Sequence, residues 1–251
     1  MPQAQFGRIT ALEDFNGSED DTTWGASVDV PVGNGSWWIV SVQEGTIQKV
    51  LDEPGGVIQF LTDTADNDNV ALISGPYRPA DGGVVMEAYF KVADDMLNTA
   101  LFIGFSETMD GGTPVMPAEF ATESMTYNGS GGMVGFNYDS DASDNDFRAL
   151  AGDGGGVSSN ADANGTRANQ GIASDEYYRV RVELDPDGTA RMWMSHDGEG
   201  KDGMFLVKEI VKAVTPGDVF FAVVMCENRT GAALEFEVDL VYAEGHRDWS
   251  V

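Results

Sequence analysis

The stretch Glu235-Phe-Glu-Val-Asp-Leu-Val-Tyr242 decides the fold class, because its apolar and acidic residues alternate. One predicted face carries the apolar residues Phe236, Val238, Leu240 and Tyr242. The opposite predicted face carries Glu235, Glu237, Asp239 and Val241. A period of two indicates a β-strand with one buried face and one solvated face. Such strands are typical of antiparallel sheets that pack one side on a core.

Further apolar runs predict more strands, at 36–42, 56–61, 69–74, 84–92, 100–105, 133–138, 177–184, 190–194, 204–210 and 219–226. Asp-Gly, Asn-Gly and Gly-Gly pairs between them are typical of tight turns. The turn Asp185-Pro-Asp-Gly188 predicts a hairpin between two of these strands. No long helical period occurs, and one short helix is expected near 113–124. Many short strands with almost no helix predict an all-β, two-layer antiparallel β-sandwich or a barrel.

The 251 residues suit one large all-β domain, predicted at 13–245. Residues 1–12 are expected to form an N-terminal arm and residues 246–251 a C-terminal tail. The segment 139–176 is rich in Asp, Asn, Ser and Gly and is predicted to be a long loop insertion. Loops of that length inside a compact domain tend to be functional or to be ordered by a partner.

The composition excludes some partners. The net charge is −28, from 42 acidic and 14 basic residues, so no nucleic acid and no anionic membrane is expected to bind. Such a surface stays soluble in salt and indicates a marine or saline source. No apolar run reaches the length of a membrane helix, and the first residues do not predict a signal peptide. The single cysteine, Cys226, is expected to be a buried apolar residue.

Several segments taken in order carry a family resemblance. Glu13-Asp-Phe-Asn-Gly17 precedes Trp24, and a strand with an internal acid follows at 84–92. The run 100–107, the hairpin 178–188 and the terminal stretch 237–247 complete the pattern. In this order the chain resembles the laminin-G-like, concanavalin-A-like jelly-roll superfamily. It is also similar to modules seen in structural proteins of marine bacteriophage virions. The resemblance implies a jelly-roll sandwich over nearly the whole chain.

Glycoside hydrolases of this superfamily carry Glu-x-Asp-x-x-Glu or Glu-x-Asp-x-Glu on one strand, where two carboxyl groups flank the glycosidic bond. Glu237-Val-Asp239 matches the first half of that motif. The position of the acid holds Tyr242 or Val241, and Glu244 comes two residues late. The sequence therefore predicts no enzyme and no catalytic residue.

Two acidic loops offer the hard oxygen ligands that calcium prefers. They contain Asp63, Asp66 and Asp68, and Asp139, Asp141, Asp144 and Asp146. Neither loop has the twelve-residue spacing of an EF-hand, and such clusters also arise from an acidic composition. No cofactor is expected, and calcium is the alternative that these loops leave open.

The aromatic residues Trp37, Trp38, Trp193 and Trp249 are candidates for sugar stacking or protein contact. Trp37 and Trp38 are neighbours on one strand, so one is expected in the core and the other exposed. Residues expected to contact a partner lie in the two terminal segments: Met1, Pro2, Gln3, Phe6 and Arg247.

The favoured hypothesis is a non-enzymatic virion structural protein, most plausibly a capsid decoration or cement protein. It would be made in the host cytoplasm and sit on the capsid surface, bound to capsid or other virion proteins as a homo-oligomer such as a trimer. The first alternative is a lectin-like module that binds a surface glycan for attachment. The second is a relative of polysaccharide-active glycoside hydrolases.

Overall fold

The protein is described from a computed structural model. It describes residues 8–15, 23–24, 30–32, 36–42, 45–50, 56–92, 98–109, 114–121, 124–129, 131–144, 146–154, 156–171, 173, 175–196, 203–229 and 234–246. In these ranges no helix has both the length and the apolar character needed to cross a membrane.

Twenty strands make up the described part of the chain. In chain order they are β1 (Arg8–Glu13), β2 (Thr23–Trp24), β3 (Val30–Val32), β4 (Trp37–Val42), β5 (Thr46–Lys49), β6 (Ile58–Leu61), β7 (Asn69–Tyr77), β8 (Val84–Val92), β9 (Thr99–Ser106), β10 (Ala118–Ala121), β11 (Ser124–Tyr127), β12 (Met133–Asp139), β13 (Asp146–Asp153), β14 (Gly156–Val157), β15 (Thr166–Gly171), β16 (Tyr177–Leu184), β17 (Ala190–His196), β18 (Phe205–Ile210), β19 (Phe220–Asn228) and β20 (Glu235–His246). A short 3-10 helix spans Pro79–Asp81.

The strands form two large antiparallel sheets. The first sheet has the order β18-β17-β16-β8-β20-β6-β5-β2, with β1 also paired to β20. The second sheet has the order β14-β13-β12-β9-β19-β7-β4-β3, with β15 paired to β13. Their inner faces share one hydrophobic core, so the predicted two-layer antiparallel β-sandwich is confirmed.

Alternation predicts the core face correctly in the hairpin strand β16. Tyr178, Val180, Val182 and Leu184 are all buried, as expected. The ring of Phe90 lies at the centre of an aromatic group between the two sheets. Its centroid is 5.6 Å from that of Phe147, 5.9 Å from that of Tyr178 and 5.5 Å from that of Phe236.

The alternation predicted for β20 is correct only in its first half. The register with β8 shifts between Val238 and Leu240, which makes Asp239 the extra residue of a β-bulge. A one-residue shift exchanges the two faces of a strand. Beyond the bulge Val241 is therefore in the core with no exposed surface, and Leu240 and Tyr242 lie on the outer face. The prediction for these three residues is wrong.

The prediction of a long loop at 139–176 is also wrong. It contains the strands β13, β14 and β15, which extend the second sheet. Phe147, Ala149 and Ala151 from this segment are buried in the core. The sequence pattern does not indicate these strands, because most of their inward residues are alanine and not large apolar residues. Alanine is small enough to fit against large aromatic neighbours.

The prediction of a short helix near 113–124 is likewise wrong for the residues of this segment that the structure describes. Residues 118–121 and 124–127 form the antiparallel hairpin of β10 and β11. This hairpin covers a second apolar cluster on the outer face of the second sheet, which contains Phe102, Met133 and Met225. The N-terminal arm predicted at 1–12 is wrong for residues 8–12, because Arg8–Glu13 pairs along β20 as strand β1.

Two strands of the second sheet approach closely at a pair of facing glycines, Gly104 and Gly135. A Cβ on Gly104 would lie 2.2 Å from the Val134 carbonyl oxygen and 2.6 Å from the Gly135 Cα. These neighbours are backbone atoms of a paired strand, so they cannot move aside cheaply.

We expect Gly104→Ala to lower the free energy of unfolding by about 1 to 3 kcal/mol, the usual cost of overpacking. Urea denaturation measures it. The matched control is Gly217→Ala, because a Cβ there meets nothing within 4 Å. Equal unfolding midpoints for the two variants would contradict the close approach of β9 and β12.

Candidate functional site

A cleft opens at the end of the sandwich where β7 ends and β19 begins. Its walls come from β1, β4, the end of β7 with the turn that follows, and the end of β20. It has a volume of about 620 Å³ and is lined by Ile9, Thr10, Ala11, Ser36, Trp38, Ser74, Gly75, Pro76, Tyr77, Arg78, Asp81, Val219 and His246. We call it the Trp38 cleft.

Trp38 provides the aromatic surface of this cleft. Its neighbour Trp37 has no exposed surface and belongs to the core, whereas Trp38 is 41% exposed. The expectation that one of the pair is buried and the other exposed is therefore confirmed. Ile9 and Val219 expose apolar surface in the same cleft. Grouped apolar side chains at the surface are typical of binding sites, whereas scattered ones are ordinary.

The floor of the Trp38 cleft is held in place by hydroxyl groups. The Ser74 Oγ donates a hydrogen bond to the Ser36 carbonyl oxygen at 2.8 Å, and lies 3.1 Å from the Tyr77 hydroxyl. Burial raises the pKa of Tyr77 to about 12, although the hydrogen bond with Ser74 opposes that effect. The tyrosine therefore stays neutral, and the floor is rigid and uncharged.

Charged and titratable groups lie on the rim. Arg78 is half-exposed, and its Nη1 atom lies 3.8 Å from the Asp81 Oδ1, a loose ion pair. Both groups line the cleft, and their side chains are 51% and 21% exposed. The imidazole of His246 packs against Gly82, where a Cβ would lie 2.6 Å from the His246 Cγ.

Sequence patterns predicted Trp38 but missed the polar residues of the cleft. Arg78, Asp81 and His246 lie on two segments far apart in sequence, and no motif links them. The glycine pair Gly82-Gly83 was the available signal, because it follows directly after Asp81 and precedes a strong strand. Both glycines adopt positive φ, at 142° and 90°, a region that other residues rarely adopt.

Trp193, the other aromatic candidate among the described residues, is not brought to this cleft. Trp193 faces outward from the first sheet, opposite Arg181 on the neighbouring strand. Trp249 and the expected partner-contact residues lie outside the described residues: Met1, Pro2, Gln3, Phe6 and Arg247.

The half-motif of glycoside hydrolases lies on the outer face of the first sheet. Glu237 is ion-paired with Lys91 at 2.7 Å. The bulge turns Glu244 to the same face, but Leu240 and Tyr242 intervene along the strand, and Glu244 is bonded to Arg8 and to the Tyr242 hydroxyl. This arrangement does not place a second carboxyl group across a cleft from Glu237.

The two acidic loops proposed for calcium converge on Arg229. Its Nη2 atom donates to the Asp139 Oδ2 at 2.5 Å and its Nε donates to the Asp139 Oδ1 at 3.2 Å. From the other loop, the Asn67 Oδ1 accepts from the Arg229 Nη1 at 3.1 Å. The sequence predicts two separate cation-binding loops, whereas the fold joins them through one guanidinium.

A second carboxylate shares the same arginine. The Arg229 Nη1 donates to the Glu227 Oε1 at 3.1 Å, and the Asn69 Nδ2 donates to the other Glu227 oxygen at 3.3 Å. Burial, only partly opposed by the Arg229 charge, raises the pKa of Glu227 to about 8. One buried cation therefore serves two carboxyl groups, and Glu227 keeps its proton near neutral pH.

The remaining predicted calcium ligands are dispersed or engaged elsewhere. Asp144 accepts from Arg148 at 2.5 Å and also pairs with Arg167. Asp66 and Asp141 are exposed, while Asp68 has no exposed surface. The last two, Asp63 and Asp146, are partly buried. Nowhere in the described ranges do three or more such side chains form a group suited to a metal ion.

Comparison with known proteins establishes the fold. No family model and no curated protein matches the chain. A protein of unknown function from Shewanella oneidensis has a similar structure, with a TM-score of 0.56, 13% identity, and coverage of 98% of this chain and 91% of that one. Peanut lectin, solved with a nine-residue peptide, has a TM-score of 0.56 at 12% identity, covering 96% of this chain and 99% of the lectin.

The exoplasmic/lumenal domain of VIP36, in a Ca²⁺- and Man2-bound form, has a TM-score of 0.51 at 12% identity, covering 93% of this chain and 86% of that domain. Identities this low show the fold alone. The chain has the concanavalin A-like jelly-roll fold over nearly its full length. The phage resemblance and the marine origin stay predictions.

The bound calcium of the VIP36 structure raises the question of whether the acidic loops here fit the same ion. They do not fit it. Both oxygens of Asp139 accept from a guanidinium, and the backbone N–H groups of Phe120 and Asp141 also donate to them, at 2.8 and 3.0 Å. A calcium ion beside Asp139 would meet the positive charge of Arg229.

We expect Arg229→Met to lower the free energy of unfolding by about 3 to 5 kcal/mol, because it leaves the buried Asp139 carboxylate without its cation. Urea denaturation measures it. Arg191→Met is the control, since its ion pairs are largely exposed and should contribute about 1 kcal/mol or less. Added calcium or a chelator should not shift the Tm of the wild type. A calcium-dependent rise in Tm would contradict the role given to Arg229.

The variant Glu227→Gln tests the raised pKa of Glu227 through the pH dependence of the free energy of unfolding. The folded state holds the Glu227 proton up to a pKa of about 8, whereas the unfolded chain releases it near the ordinary value of 4.5. The unfolded state thus binds fewer protons in this window, so the wild type should lose stability relative to the variant as pH rises from about 4.5 to about 8. Urea denaturation across the window measures the difference. Parallel pH profiles would argue against a raised Glu227 pKa.

Proposed function

We propose that the protein is a carbohydrate-binding module that holds a neutral sugar in the Trp38 cleft without cleaving it. The observation that carries this proposal is the exposure of Trp38 inside a concave site of about 620 Å³. Binding sites for small molecules are concave, largely apolar, and carry a few placed polar groups.

The aromatic ring and the polar rim suit the two sides of a sugar. A pyranose presents an apolar face of C–H groups, which packs on an indole ring, and a rim of hydroxyl groups. The Arg78 guanidinium offers donors and the Asp81 carboxylate offers acceptors for these hydroxyls. The rigid floor at Ser74 and Tyr77 lowers the ordering cost of binding.

The charge balance favours a neutral ligand. Arg78 and Asp81 carry opposite charges, so the rim adds no net charge of its own. The rest of the molecule has a large negative charge, which repels acidic polysaccharides until salt screens it.

Fold likeness supports a carbohydrate ligand by analogy. The similar structures include peanut lectin, the carbohydrate recognition domain of Emp47p, and VIP36 with bound Man2. Fold alone does not fix a function, so the argument depends on the Trp38 cleft.

The residues around the half-motif of glycoside hydrolases agree with binding without hydrolysis. The Glu237 carboxylate is ion-paired with Lys91. The positions where a hydrolase would carry its acid hold Tyr242 and the buried Val241.

The capsid-decoration hypothesis stays a prediction from the sequence. A carbohydrate-binding module could serve on a virion surface as well as elsewhere. Binding to capsid proteins, a homo-oligomer such as a trimer, and location on the capsid all await imaging of purified particles.

The test is an array of neutral mono- and oligosaccharides of mannose, glucose, galactose and N-acetylglucosamine, with alginate and carrageenan as acidic polysaccharides. We expect binding to at least one neutral series. Trp38→Ala should weaken it about 2- to 13-fold, because an aromatic stacking contact contributes about 0.5 to 1.5 kcal/mol. Trp38→Phe should retain most of the affinity, and a chelator should have no effect.

Leu206→Ala is the matched control, since Leu206 is similarly exposed, at 43%, outside the cleft. It should bind like the wild type. Release of reducing ends from a bound glycan would contradict the non-enzymatic role. Binding to none of the neutral series, or equal binding by Trp38→Ala, would contradict the proposed site.

A further inference from the structure

A second groove lies on the far side of His246 from Trp38. It has a volume of about 190 Å³ and is lined by Gly82, Gly83, Val84, Val85, Arg181, Glu183, Leu184, Asp185, Pro186, Glu244 and His246. His246 is the residue that lines both this groove and the Trp38 cleft. We call this second groove the Glu183 groove.

His246 forms a ridge between the two depressions. The ridge consists of the His246 imidazole and the backbone of Gly82, and any Cβ at position 82 would lie within 2.9 Å of three His246 atoms. Gly83 follows with a φ of 90° and the Leu184 carbonyl oxygen 3.1 Å from where its Cβ would be. The two glycines therefore add no side chain beside the imidazole.

Polar groups that suit sugar hydroxyls line the Glu183 groove. Glu183 accepts from the Arg181 Nε at 2.6 Å, and Asp185 accepts from the Arg191 Nη2 at 2.8 Å. Both carboxylates are partly exposed, at 25% and 38% of their side chains. Fixed by arginines, they are pre-oriented acceptors, and preorganised groups bind at lower entropic cost.

The charges of the groove select against acidic chains. Glu183, Asp185 and Glu244 are carboxylates, while Arg181 is the cation that lines the groove. A neutral chain could follow this surface, whereas each carboxylate or sulfate on a polysaccharide would face like charge.

We propose that the ligand is a neutral oligosaccharide whose chain continues from the Trp38 cleft over the His246 ridge into the Glu183 groove. This inference rests on the proposed function, and it adds the substrate class: a chain of linked sugars rather than a single one. One unit stacks on Trp38 in the cleft. The next units cross the ridge and donate hydroxyl hydrogen bonds to Glu183 and Asp185.

The test compares mannose, mannobiose and longer mannose oligosaccharides, together with the corresponding glucose, galactose and N-acetylglucosamine series, by titration calorimetry. We expect the longer members of a binding series to bind at least tenfold tighter than the monosaccharide. The double variant E183Q/D185N should remove most of that gain and leave the affinity for the monosaccharide unchanged. Its Tm should match that of the wild type, since both amides keep an oxygen for their arginines.

Glu209→Gln is the matched control, because Glu209 is a carboxylate of the same sheet, paired with Arg191 and outside the groove. It should keep the full gain with chain length. Affinity that does not depend on chain length, or a gain that survives E183Q/D185N, would overturn this inference while leaving the Trp38 cleft as a sugar site. A gain with chain length that is insensitive to Trp38→Ala would instead overturn the proposed function.

Discussion

The extra residue Asp239 in strand β20 sets the geometry on which the rest of the molecule depends. Because the bulge shifts the register by one residue, Val241 and Ala243 fill the core while Glu244 and His246 face outward. A strand without the bulge would place the carboxylate of Glu244 and the imidazole of His246 on the buried face. Desolvating such groups without partners costs several kcal/mol, so the bulge and the sandwich require each other.

The same shift builds the cleft. It turns Gly245 inward, where a Cβ would lie 2.7 Å from the Tyr77 Cδ1. Only a glycine leaves room for the Tyr77 ring, whose hydroxyl then holds Ser74 at the floor of the Trp38 cleft. His246, the next residue, becomes the ridge between the two grooves. A change of register in the middle of one strand therefore determines both a core contact and the shape of the binding surface.

The sequence predicts the sandwich well because most strands alternate cleanly, as β16 does with its buried Val180 and Val182. It does not predict the bulge, because Leu240 and Val241 are both apolar and either could face the core. The missed strands β13 and β15 place alanines (Ala149, Ala151 and Ala168) on their inward face, and a segment with so few large apolar residues resembles a loop. For the site, the pair Trp37 and Trp38 follows from alternation. Arg78 and His246 meet only through the pairing of distant strands, which no local pattern records.

Strands β7 and β19 connect the two polar features of the molecule. Asn69 begins β7 beside Arg229 and its partners Asp139 and Glu227, and Tyr77 ends β7 in the floor of the Trp38 cleft. At the usual rise of a strand the two ends lie roughly 26 Å apart. The cation that holds Asp139 is thus covalently part of the chain and lies at the far end of β7 from the proposed sugar. A guanidinium held by Asp139 cannot be removed by a chelator or by a change in ion supply. The shape of the Trp38 cleft should then depend on the packing of β7 and β19.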